Sequence, residues 1–144
     1  MGRMLSDILD GDGYIQGMGA LHFIDDYGTQ KNCCLGVMEC EAGIKFRKHS
    51  LSNYWVDSFG GSQMPSEAVA SAAELDLALT EDEVDYFTDI SSEYDLDLFD
   101  NHSRMDVLAA LNDAELSFRF IARVLRDTGW DVDVDALKEE LQKV

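Results

Sequence analysis

At 144 residues, with 46% apolar residues and a single proline, the chain is long and apolar enough to bury a core, which excludes a disordered acidic tail. Its formal net charge of −18 repels polyanions, so direct nucleic-acid binding and docking on anionic membranes are excluded as expectations. No apolar run approaches the roughly 20 residues that span a bilayer, and the N-terminus lacks the pattern of a signal peptide.

In chain order, Met4, Leu5, Ile8 and Leu9 share one side of a short helix over residues 3–10. Gly11, Gly13, Gly17 and Gly19 then break the chain around Tyr14 and Ile15. Residues 21–24 form an apolar strand, and Asp26-Tyr27-Gly28 signals a turn. Asn32 is placed to cap a helix over residues 33–41, with Gly43 as its stop. Residues 44–59 alternate loosely through Tyr54, Trp55 and Val56, which predicts one or two strands; Gly60-Gly61-Ser62 is a loop. Pro65 suits the first turn of an alanine-rich helix reaching Leu75. Thr80 and Glu83 make a capping box for a helix toward Tyr94. In it, Val84, Phe87 and Tyr94 are expected inward and Asp82, Asp85, Asp89 and Glu93 outward.

Further on, Ser103 caps a helix with Met105, Val107, Leu108 and Leu111 at helical spacing. Ser117 caps the next, with Phe118, Ile121, Ala122, Val124 and Leu125 inward and Gly129 at its end. A last helix over residues 134–143 has Leu137 and Leu141 one turn apart and lysines near its C-terminus, the favoured end for cations. The expected fold is α+β, mostly α, with short strands in the first 60 residues and a helical second half. One acidic globular domain covers residues 1–144.

Acidity is concentrated rather than spread. Between His49 and Ser103 there is no lysine or arginine, and there are thirteen carboxylates. The flanks are nearly balanced, with five basic and seven acidic residues over 1–48 and six and nine over 104–144. Adaptation to a salty cytoplasm should distribute acids evenly, although aspartate outnumbers glutamate nineteen to ten. Concentration points instead to a partner with a basic groove. Carboxylates four apart on a helix lie about 5–6 Å from each other and can imitate a row of phosphates. Glu81, Asp82, Asp85, Asp89 and Glu93 form that stripe, extended by Asp95, Asp97 and Asp100.

Other motifs carry less. The Gly11–Gly17 cluster has the wrong spacing for a dinucleotide fingerprint and lacks the lysine of a P-loop, so turns with positive φ are its expected role. Cys33, Cys34 and Cys40 fall on one expected helix without the paired spacing of a zinc site, and are read as buried small hydrophobes. Asp131, Asp133 and Asp135 resemble the opening of a calcium loop, but Ala136 and Gln142 stand where it needs glycine and glutamate. Helix capping is the expectation there. Asp95-Leu96-Asp97 has no nearby cation to manage a metal-bound phosphate. The run from Lys45 through Phe46, Arg47 and Lys48 to His49 is read as neutralisation within the chain or between subunits. Met1-Gly2-Arg3-Met4-Leu5-Ser6 matches the loose N-myristoylation pattern with no polybasic support. Three cysteines make no disulfide framework, so a reducing cytoplasm is the expected compartment. Neither a cofactor nor a catalytic set is expected.

Several pieces resemble a group of small, mostly uncharacterised proteins of bacteriophages and prophages. These are Gln16-Gly17 leading into Leu21, Cys33-Cys34-Leu35-Gly36-Val37, and Leu111-Asn112-Asp113 followed by Ser117-Phe118 and Ile121-Ala122. The resemblance implies fold determinants rather than a catalytic set, and it skips residues 66–103. Together with the charge, it makes the expected function inhibition of a host nucleic-acid-handling defence system of the anti-CRISPR or anti-restriction type. The partner would be a basic host protein or ribonucleoprotein, met in the host cytoplasm. The alternatives are an acidic chaperone or assembly factor for a basic virion protein, and a small-molecule binder or enzyme.

Overall fold

The computed structural model describes residues 2–49, 54–94 and 103–143. Its elements run α1 (Leu5–Asp10), β1 (His22–Ile24), β2 (Gln30–Asn32), α2 (Cys34–Glu41), β3 (Phe46–Lys48), β4 (Trp55–Asp57), α3 (Glu67–Ala72), α4 (Glu81–Tyr94), α5 (Arg104–Asp113), α6 (Phe118–Thr128) and α7 (Val134–Gln142). The architecture is α+β, mostly α. Two separate antiparallel pairs, β1 with β2 and β3 with β4, lie in the first half. His22 faces Asn32 in one register and Lys48 faces Trp55 in the other.

The core is organised around α2, which touches α1, α5, α7 and β2. Every residue from Cys34 to Glu39 is buried, as expected of a helix enclosed on all sides. Gly36 permits this: a Cβ there would overlap the Leu21 carbonyl. Asn32 does not cap α2. It ends β2, and the Cys33 sulfur takes the cap, accepting from Gly36 N at 3.4 Å. Strand β2 escapes a hydropathy reading because Gln30-Lys31-Asn32 is polar throughout.

Residues from three motifs meet in the core. The buried Asn112 accepts from Cys34 N at 3.2 Å and from Gln16 Nε2 at 3.1 Å, and donates to Gly17 O at 2.8 Å. Beside it, Asp113 accepts from Gly19 N at 3.0 Å. This network ties the N-terminal loop, α2 and α5 together, so the Gln-Gly, Cys-Cys and Asn-Asp pairs act on the fold. Contrary to expectation, none of the Gly11–Gly17 cluster has positive φ; Gly19, just beyond it, does, at 84°, and Gly17 is packed closely against Phe23 and Lys31.

Capping follows the expected chemistry in the second half. Thr80 and Glu83 exchange reciprocal bonds of 2.9 and 3.2 Å. Ser103 pairs with Asp106, Ser117 accepts from Phe120 N, and Gly129 ends α6 with φ 77°. Helix α3 departs from expectation. Ser66 rather than Pro65 opens it, and it stops at Ala72, because Glu74 enters the left-handed region at φ 59°. Asp133 caps α7, Asp135 binds Arg3, and Asp131 accepts from the Ser6 backbone and hydroxyl. Phe118, Ile121, Ala122, Val124 and Leu125 are all buried. Among the described residues, no helix is long and apolar enough to cross a membrane.

Candidate protein-binding face

Helix α4 has two unlike sides. At about 100° per residue, Phe87 and Ser91 point into the molecule and are buried, with Tyr86 and Ile90 partly covered beside them. Phe87 sits between the rings of Tyr86 and Trp130, at centroid distances of 5.0 and 5.2 Å. Val84 and Tyr94, expected inward, are 37% and 41% exposed. Val84 lies at the edge of the buried arc. Tyr94, in the last turn, lays its ring edge-to-face on Phe120 at 5.4 Å.

On the opposite arc, Glu81, Asp82, Asp85, Asp89 and Glu93 are all exposed. None of the five takes part in a salt bridge among the described residues. Asp95, Asp97 and Asp100, the rest of the expected stripe, lie outside the described residues. Glu83 belongs to the structural side. It accepts from the Trp130 indole at 2.5 Å as well as capping the helix. Burial alone would raise its carboxyl, but the bonds from Thr80 and Trp130 outweigh that and hold it below the usual carboxylate value. Arg104 lies over the Trp130 ring at 5.6 Å.

The flanking acids behave differently. Arg3 bridges Glu41 at 2.6 Å and Asp135 at 2.9 Å, and Arg126 bridges Asp7 at 2.9 Å and Asp10 at 2.6 Å. The basic cluster does not neutralise the acidic helix. Lys45, Arg47 and Lys48 are exposed and form no salt bridge among the described residues.

The cysteines are poor nucleophiles. Burial pushes Cys33 up to about 12 and Cys40 up to about 11, and raises Cys34 strongly. A thiol held that high presents almost no thiolate near neutral pH. Asn32 Nδ2 donates to Cys40 Sγ at 3.4 Å, and the Cys34 thiol faces Leu108 O at 3.7 Å. Among the described residues, no three or more histidine, cysteine or acidic side chains converge as a metal site would require.

One titratable pair had no signal in the sequence. Glu39 of α2 is fully buried, and neither of its oxygens nor Asp57 Oδ2 receives a donor from elsewhere in the chain. Burial and the adjacent Asp57 carboxyl push Glu39 up to about 10. That shift favours the neutral form of Glu39 beside Asp57, whose Oδ1 accepts from the Phe59 and Gly61 backbones at 2.8 Å each. Helix spacing alone would put residue 39 anywhere; only the enclosure of α2 reveals it.

No protein-family model matches this chain, and no curated protein or solved structure shows significant similarity to it.

Proposed function

We propose that this chain is a phage- or mobile-element-encoded inhibitor of a host nucleic-acid-handling defence system, of the anti-CRISPR or anti-restriction type. It works in the host cytoplasm without catalysis, its α4 face occupying a basic groove of the target in place of nucleic acid. The observation that carries this reading is the set of five exposed α4 carboxylates that form no salt bridge among the described residues. At a rise of about 1.5 Å per residue they fall at a mean of roughly one charge per 4–5 Å of helix axis, in uneven steps. One strand of duplex DNA carries a charge about every 3.4 Å. A lysine- and arginine-lined groove built for the second row fits the first. The phage-like motifs support the source of the chain but say nothing about its target.

The test is protection. Cells carrying one CRISPR or restriction system each are challenged with a targeted phage, with and without expression of this chain. Restored plaque formation in at least one system is expected, together with loss of target-enzyme DNA binding when the purified proteins are mixed. If no system in the panel is relieved and the chain instead stays bound to a basic virion protein, it is an assembly factor and the inhibitor reading is wrong.

A further inference from the structure

Helices α4 and α6 do not close on each other along their outer edges. They leave a cleft of about 410 Å³, near the small end of ligand-sized pockets. Its lining joins the rings of Tyr86 and Tyr94 from α4 and Phe120 from α6 with the aliphatic Ile90 and Val124. Asp89 and Glu93 stand on the α4 rim with no salt bridge among the described residues, and Asp127 stands on the α6 side. Asp127 is already engaged, accepting the Tyr86 hydroxyl at 3.1 Å and lying 3.8 Å from Arg123 Nε. Arg123 also lines the cleft and faces Asp127, so Asp89 and Glu93 leave it with a surplus of negative charge beside the partly exposed Tyr94 ring.

We propose that this cleft takes one arginine side chain of the basic partner, an inference that rests on the binding-face reading above and names its anchor. A planar guanidinium stacks on aromatic rings and forks onto a carboxylate in one pose, which a lysine ammonium cannot do. Exposed carboxylates elsewhere on α4 contribute steering but little affinity, because water and salt screen each pair. Ring surface changes that locally, by replacing water on one face of the cation. The anchor thus separates a target with arginine at the right place from any other polycation.

Two capped peptides, octa-arginine and octa-lysine, serve as probes in calorimetric titrations of the whole chain at low salt. The arginine peptide is expected to bind roughly tenfold tighter, the scale of one desolvated ring–cation contact. Tyr94→Ala, and Tyr94→Leu, which keeps bulk but removes the π face, should cut that ratio several-fold. Asp85→Asn, off the cleft, should weaken both peptides alike and leave the ratio unchanged. In wild-type protein, aromatic resonances of Tyr86, Tyr94 and Phe120 should shift with octa-arginine and stay put with octa-lysine, a readout that does not depend on any variant folding. If both peptides bind but neither the ratio nor the ring resonances respond as stated, the arginine anchor is overturned and the acidic face stands. If neither peptide binds at low salt, both readings fall.

Discussion

The acids of the two termini and the acids of α4 are the same residue types put to opposite uses. Asp7, Asp10, Glu41 and Asp135 each close on an arginine, and those bridges tie the N-terminal segment to α2, α6 and α7. Glu81, Asp82, Asp85, Asp89 and Glu93 form no salt bridge among the described residues. Charge on those four flanking acids is used by the fold, whereas charge on α4 repels itself along one helix face. The proposed binding role is the use that such a surplus would serve.

That contrast can be broken from either side, and the largest effects should come from the buried side of α4. Phe87→Ala should destabilise by about 3–5 kcal/mol, because the ring is fully buried between two others. Urea unfolding monitored at the tryptophans would measure it. A loss under about 1 kcal/mol would mean that α4 is not docked as described.

A smaller effect concerns Glu39. Its folded value, about 10, is raised above its ordinary 4.5. The raised value makes its contribution fully present below about pH 4.5 and progressively lost as pH rises toward 10. The slope is about 1.4 kcal/mol per pH unit while one proton is taken up on folding. Glu39→Gln places a neutral side chain beside Asp57 without needing that proton. The variant should gain stability over wild type as pH rises from 5 to 8, by about 2–4 kcal/mol at the upper end. A constant difference between the two proteins across that range would show that Glu39 is ionised in the fold.

The smallest effects separate the two acid populations directly. Asp85→Asn, Asp89→Asn and Glu93→Gln together should leave the melting temperature unchanged or raise it, since like charges are removed. Asp7→Asn with Asp10→Asn should lower it slightly, by less at high salt, since Arg126 loses both partners. The opposite ordering would mean that the α4 acids are structural.

How much of this was legible in the sequence follows from the range of each interaction. The Thr80–Glu83 box, the Ser103 and Ser117 caps and the Gly129 stop are local chemistry, so the helices of the second half could be placed from residue spacing. The outward side of α4 was legible for the same reason. Its inward side was harder, because the phase of a short amphipathic helix is fixed by what it meets, here Trp130 and Phe120. Asn112 illustrates the limit: its partner Gln16 lies 96 residues away, and nothing near it in sequence announces the contact. Nor could Asn32 be distinguished from a helix cap until β2, a strand with no apolar residue, paired with β1. The ring-walled cleft between α4 and α6 was likewise invisible, since its residues come from two segments that meet only in the folded chain.

The central claim is that α4 is a binding face. The most direct measurement replaces Asp89→Lys and Glu93→Lys together and reads binding to the isolated target alongside circular dichroism. Like charge then faces the basic groove, a penalty of several kcal/mol where contact is close and desolvated. The expected result is an unchanged helical spectrum with binding abolished, and a wild-type association rate that falls as salt is added. Undiminished binding by the reversed protein, with loss of binding on changing Lys45, Arg47 or Lys48 instead, would contradict the account and move the interface to the strands.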